Sequence, residues 1–441
     1  MIAIIGRAGA AMADEPPPVP PAPPSEERLE KLEDDLEYTK KQVEGLLPLT
    51  GRFSGWIDVG FFHVAGDGSG IRADLGNTYF PEYADEIAGG SWVFMGDPLS
   101  TAVNARGEPA DTGESRAITH DSIDSRGKAT FIVNAVSVAL FAGLGSTATA
   151  NVLFDLIPRA RDVADPAGTF LGDFLDVKLA YAELRVPIAS FGLSLYAGKM
   201  DPVLGYEYRV EEAPDRLTVT PSLICRYTCG RPIGLKARAR FLDERLVLNL
   251  ALTNGSSFWE GFGFADEVDR NDVKTASARL SYLFPLGRGL EIGVSGAIGA
   301  QDGQGDDSIL QWHVGADLHL EWGDLELTAE WVKGDVEGAT EPGRPACDAA
   351  ACLDYDGAYG LAGWRVNNWL VPYARVDWRD AFHAHGASFI YISELVRATA
   401  GLRLELGTAV IVKAEYTVNR ELGRIPQFDD DILTSSLVVK Y

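Results

Sequence analysis

From residue 50 onward, apolar and polar residues alternate with period two in sixteen stretches of strand length: 50–63, 128–141, 144–155, 173–187, 190–200, 233–242, 244–254, 273–284, 289–299, 309–321, 324–333, 357–366, 368–378, 396–406, 409–419 and 431–441. In 309–321, Trp312, Val314, Ala316, Leu318 and Leu320 alternate with Gln311, His313, Asp317, His319 and Glu321. In 244–254, Leu246, Leu248, Leu250 and Leu252 alternate with Arg245, Asn249 and Thr253. One face of such a strand suits lipid or a core and the other suits water. The stretches pair through seven short turns, such as Ala142-Gly143, Asp243, Trp322-Gly323 and Gly407-Thr408, which alternate with eight long connections that include 64–127, 201–232 and 334–356. An even strand number, with both ends on the short-turn side, predicts an all-β transmembrane antiparallel barrel of about sixteen strands over 50–441. Aromatics near the strand ends (Tyr282, Phe284, Trp312, Trp322, Trp331, Trp364, Trp369, Trp378, Tyr416, Tyr441) fit the girdles that such barrels place at the two membrane interfaces.

The first fifty residues follow other rules. Residues 1–13 resemble the end of a secretory signal, with Ile2-Ala3-Ile4-Ile5 followed by Ala11-Met12-Ala13 before Asp14. Residues 14–24 are a proline-rich spacer that cannot build a core. Residues 25–47 place Leu29, Leu32, Leu36, Val43 and Leu46 at alternating spacings of three and four, together with Thr39, the rhythm of a short coiled-coil helix that Ser25 can cap. About three heptads are marginal alone, so the helix either self-associates or lies against a partner, on the periplasmic side if the barrel reading holds.

Charge and composition narrow the function classes. The chain has 441 residues, 39 basic and 64 acidic, for a net charge of −25. That excludes a nucleic-acid binder held by phosphate contacts. Mean hydropathy is −0.02, and no apolar run reaches the ~18 residues that a spanning helix needs. The eight long connections carry −22 and the first fifty residues −5, so strands and turns are nearly neutral and the acidity lies at the rim. No nucleophile elbow or phosphate loop is present, and the histidines offer only His383-x-His385 as a metal hint, a loop spacing that is usually incidental, so neither an enzyme nor a cofactor is expected.

Residues 190–255 carry a family resemblance. SFGLSLYAGKMDPVLGYEYR, then Arg226-Tyr227 and Gly234, then a hairpin ending LALTNGSS, resembles the bacterial outer-membrane porins related to the phosphate-selective porins O and P. The matching positions are Gly198, Lys199, Met200, Pro202, Gly205, Tyr206, Glu207, Asn254 and Gly255, with Met200 in place of the usual aromatic. The final strand ILTSSLVVKY, which ends on an aromatic, resembles the closing strand of such barrels. The resemblance implies a sixteen-stranded outer-membrane porin, commonly a homotrimer in lipid, that passes small hydrophilic solutes or ions by diffusion.

A diffusion channel needs a water-filled lumen with a charged waist. Strand parity turns Lys236, Arg238 and Arg240 inward as a basic ladder, while Leu235, Ala237, Ala239 and Phe241 face out. Arg279, Arg375, Arg403 and Lys413 also take inward positions, and Asp317, Glu326 and Glu330 form an acidic stripe expected to lie apart from them. The connection 201–232 is the candidate constriction loop. Its acids Glu207, Glu211, Glu212 and Asp215 would face basic wall residues across the eyelet, unless the ladder simply pairs with acids on neighbouring strands. The acidic rim leads us to expect weak or cation-leaning selectivity. Cys225 with Cys229, and Cys347 with Cys352, read as two local disulfides in an oxidising compartment, with a four-cysteine zinc site or free thiols as the alternatives. Two other readings stay open: a barrel plugged by 64–127 that anchors a partner through the helix, and a secreted soluble β-rich enzyme.

Overall fold

The computed structural model describes residues 53–64, 66, 71–73, 93–95, 117–118, 128–144, 147–156, 175–188, 190–254, 271–300, 307–344, 347–385, 389–423, 427 and 429–441. The signal-like segment, the spacer and the helix expected at 25–47 lie outside them, as does most of 64–127. The sixteen alternating stretches form sixteen strands: β1 (Phe53–Val64), β2 (Thr130–Leu144), β3 (Ala148–Leu156), β4 (Leu175–Val186), β5 (Gly192–Lys199), β6 (Ile233–Phe241), β7 (Leu246–Thr253), β8 (Thr275–Phe284), β9 (Gly289–Ala300), β10 (Leu310–Trp322), β11 (Leu325–Val336), β12 (Cys352–Trp364), β13 (Leu370–His385), β14 (Phe389–Leu406), β15 (Val410–Glu421) and β16 (Ile432–Lys440). Each pairs antiparallel with its neighbour in sequence, and β1 pairs with both β2 and β16, so the sheet closes without an edge. Tyr441 fastens the closure. Its backbone exchanges two hydrogen bonds with Gly55, and its hydroxyl donates to the Ser137 carbonyl on β2 at 2.9 Å.

The faces are inverted relative to a soluble protein. Leu235, Leu252, Val294, Ile298 and Val376 point outward and are more than half exposed, apart from any second sheet among the described residues. Arg279, Arg375, Arg379, Arg397 and Lys413 are among the largest side chains sealed inside. A soluble β-rich fold would bury its apolar face instead. Trp322, Trp364 and Trp369 stand exposed at the short-turn end. The turn at Asp243 is longer than the single residue expected: Leu242, Asp243 and Glu244 all have left-handed φ, between 53° and 68°.

Three strands run further than their apolar alternation. β12 begins at Cys352 rather than 357, β13 extends to His385 rather than 378, and β14 begins at Phe389 rather than 396. The expected long connection between β13 and β14 is therefore only three residues. In these extensions the polarity reverses. Asp354 and Asp380 are exposed outside, while Leu353, Tyr355 and Ala381 are buried inside with Val332 and Val336. A strand that leaves lipid has no reason to stay apolar outside, although its hydrogen-bond ladder continues. Residues 93–95, from the first long connection, pair in parallel with 390–392 of β14.

Candidate functional site

The connection 201–232 turns into the barrel and binds the inner wall. Met200, Val203, Leu204, Leu217, Val219, Leu223 and Ile224 are buried. Leu217 packs on Val371 and Tyr373 of β13, and Ile224 and Tyr227 join the apolar cluster of the strand extensions, where the Tyr227 ring stacks on Tyr355 at 3.7 Å. Gly357 makes room for this, since a Cβ there would lie 2.6 Å from an Ile224 methyl. Cys225 and Cys229 are joined by a disulfide across the one-turn helix Cys225–Thr228, and Cys347 and Cys352 by another at the start of β12.

Polar wall groups grip the loop backbone. Lys413 donates to the carbonyls of Ala213 and Thr218 at 2.8 Å each and Arg216 at 3.2 Å, and Arg403 donates to those of Arg216 and Pro214, both at 2.8 Å. Arg375 donates to the carbonyls of Thr220 and Pro221, 2.7 and 2.9 Å away, and is held by Asp377 at 2.8 Å. Glu415 accepts from the Val219 and Thr220 amides, the Thr220 hydroxyl and the Tyr373 hydroxyl, all within 2.9 Å. Asp377 accepts from the Leu223 amide. Inward parity therefore holds for Arg375, Arg403 and Lys413, but these cations lie beneath the loop and hold its carbonyls. Glu415, Asp377 and Tyr373 escaped the sequence reading. Their inward parity was visible, but their partners, about 150 to 200 residues distant in the chain, were not.

The loop's acids divide. Glu211 and Glu212 meet Arg231 at 2.7 and 3.1 Å, Arg231 also meets Asp201 at 2.9 Å, and Lys178 of β4 meets Glu212 at 2.7 Å. Arg231 thus ties the loop's two ends together. Burial acts most strongly on Glu212 and would raise it, but Lys178 and Arg231 hold its carboxyl below the ordinary value. Glu211, where burial wins over Arg231 and Lys178, is pushed up. Glu207 is buried and accepts from the Ser222 amide at 2.8 Å and from the Ser222 hydroxyl. Burial pushes its carboxyl up against the pull of Arg375. Asp215 is exposed.

The acidic stripe and the basic positions are not separate, as they were expected to be. Arg279 of β8 reaches across β9 to Asp317 of β10, with its nitrogens 2.5 and 3.0 Å from the carboxylate oxygens, and meets Glu291 at 2.8 Å, while Arg209 from the loop meets Glu291 at 2.9 Å. Gly293, between them on β9, permits this, because a Cβ there would sit 2.5 Å from the Asp317 carboxylate. Glu330 is buried beneath the loop, and Glu326 lines a 170 Å³ cavity near the short turns with Arg288, Asp324 and Arg365.

The opposite wall keeps the ladder. Lys236 donates to the Asp201 carbonyl at 2.7 Å and lies 4.9 Å from the Tyr196 ring centroid. Arg240 reaches Ser194 at 3.3 Å and Glu244 only at 3.8 Å. Arg238 makes no ion pair among the described residues. Glu183, Tyr196, Lys236, Arg238 and Arg240 all stay partly exposed.

Comparison with models of known families finds no match, and neither does comparison with curated proteins. Solved structures do match. The outer membrane channel DcaP of Acinetobacter baumannii is similar over 88% of this chain and 96% of its own, at 11% identity and a TM-score of 0.52. OmpF of Salmonella typhi, in a complex with daunomycin, is similar over 88% of this chain and 97% of its own, at 10% identity and a TM-score of 0.51. At these identities the likeness is one of fold: this chain has the closed barrel architecture seen in those outer-membrane proteins.

Proposed function

We propose that the protein is an outer-membrane porin, a passive water-filled channel for small hydrophilic solutes or ions, with its short turns in the periplasm. The observation that carries this reading is the asymmetry of the inner wall. Beneath the loop, Arg375, Asp377, Lys413 and Glu415 are at most 2% exposed, whereas Glu183, Tyr196, Lys236, Arg238 and Arg240 on β4–β6 remain partly exposed. A loop fastened to one side of a barrel leaves a charged passage along the other, which is how a channel selects by size and field. The uncompensated Arg238 gives that passage a positive wall, set against the acidic rim. The outward apolar face supports residence in lipid, and we assign the working unit as a homotrimer, as the resemblance at 190–255 implies.

The test is single-channel conductance of the detergent-purified protein in planar bilayers, with the reversal potential under a salt gradient. We expect stepwise openings, grouped in threes for a trimer. Arg238→Ala is expected to move the reversal potential toward cation preference. A barrel that is folded by its gel mobility yet electrically silent would overturn the channel reading.

A further inference from the structure

The loop is held to the wall by two kinds of contact, and only one depends on a buried carboxyl pair. On β13–β15, cations hold carbonyls and Glu415 holds amides beside Lys413 and Arg375. On β11 the anchor is Glu330, 3% exposed, which accepts from the Glu207 amide and, at 3.0 Å, from the Tyr359 hydroxyl of β12. Its second oxygen is buried without a hydrogen-bond partner among the described residues. Gly205, with φ of +69°, brings the loop so close that a Cβ there would collide with that oxygen.

The surroundings of this contact are short of positive charge. Glu330 faces Glu207 from the loop and Asp317 of β10, beside it in register. Arg279 is engaged by Asp317 and Glu291. Tyr206 of the loop, Ser295 of β9, which accepts from the Gly205 amide, and Tyr359 contribute no positive charge. Glu207 in turn faces Ser222, Arg375 and Asp377, and Arg375 is already bonded to Asp377 and the loop carbonyls. Both carboxyls are buried, and the Glu207 amide sits on the Glu330 carboxyl, so the two cannot both ionise without cost and a proton on one of them stabilises the contact.

We propose that Glu207 and Glu330 form a proton-dependent latch that holds the loop limb 204–210 against β11, leaving the limb 213–220 held on β13–β15 independently of the latch. With a proton on the pair the limb is seated. As the pair loses that proton, mutual repulsion lifts the limb from the wall toward the passage. The effect on current rests on the channel reading, but the latch itself is observable in a barrel that conducts nothing.

The test is hydrogen–deuterium exchange of the folded, detergent-solubilised protein from about pH 5 to about pH 9, corrected for intrinsic base catalysis, comparing segment 204–210 with 216–220. In the unmutated protein, protection of 204–210 relative to 216–220 is expected to fall about tenfold across the range. Glu330→Gln, which keeps an acceptor and removes the charge, should flatten that dependence, and Glu207→Gln should do the same if the first variant folds poorly. Tyr359→Phe removes a donor without removing a carboxyl, so it should lower protection at every pH while leaving a pH dependence. In bilayers the closing voltage should drop as pH rises, and less so in Glu330→Gln. An unchanging ratio in the unmutated protein, or Gln variants that titrate as it does, would overturn the latch.

Discussion

Arg231 shows how much one side chain can organise. Its side chain is 8% exposed and pairs with Asp201, Glu211 and Glu212 at once. Removing one partner from a buried ionic cluster leaves uncompensated charge and costs about 3–5 kcal/mol. Arg231→Met should therefore loosen the base of the loop while the barrel still folds, read as protease cleavage within 201–232 of a protein with unchanged heat-modifiable mobility. Within this cluster the Glu212 contacts are the part that acid breaks, because Glu211, pushed up by burial, takes its proton before Glu212 does. The folded-state value of Glu212 is lowered, so its contribution is present above the ordinary carboxylate value of about 4.3 and is lost as pH falls through the lower folded value. Cleavage within 201–232 by an acid-active protease should accordingly increase below about pH 4, and Glu212→Gln should be looser at neutral pH with a weaker acid response. Individual inward positions were legible in the sequence because parity along a strand fixes the face. Arg279, Arg375, Arg403 and Lys413 all point inward as their parity requires. Their partners were not legible, because register across strands and the path of the loop set them: Arg279 meets Asp317 only because Gly293 lies between them.

Among the elements, the strands follow from local pattern and the loop does not. Alternation located every strand but misplaced some ends: the turn expected at Ala142-Gly143 lies beyond Leu144, because both residues pair with β3, and β12, β13 and β14 run past their apolar stretches where the polarity reverses, with Tyr355 buried inside and Asp354 exposed outside. The loop has no periodicity to read. Its order comes from contacts with strands far along the chain and from the Cys225–Cys229 disulfide, which closes a ring of few residues. By loop-closure entropy such a short bridge contributes about 2 kcal/mol, before any effect of packing. Cys225→Ser with Cys229→Ser should therefore leave the barrel folded but lower the protection of the 222–229 amides, measured by hydrogen exchange with and without reductant. An unmutated protein insensitive to reductant under conditions that do open the disulfide would contradict this.

For the whole molecule, the inverted faces decide the solvent. Val294 is 56% exposed on the outer wall near the middle of β9, and Ser295 beside it points inward to the loop. A cation on a lipid-facing mid-barrel position costs about 2–4 kcal/mol. Val294→Arg should lower the yield of refolding into lipid vesicles, while having little effect on secondary structure in detergent, where a micelle can reorganise around the charge. A wall without edges also accounts for Tyr441, whose backbone and hydroxyl bridge from β16 across β1 to β2.

The sequence by itself determined the strand number and the faces, since both are written in spacings of one to a few residues, whereas the local disulfides stood there beside zinc and free-thiol alternatives. It also marked 201–232 as the segment that turns inward, through the acids Glu207, Glu211, Glu212 and Asp215. Tertiary structure alone decided which wall the loop occupies, and hence which charged residues are sealed beneath it and which stay partly exposed. That choice depends on Glu415, Arg375 and Glu330 meeting loop groups more than a hundred residues away, in a closed sheet whose register brings them together. Periodicity carries no information about distances of that kind.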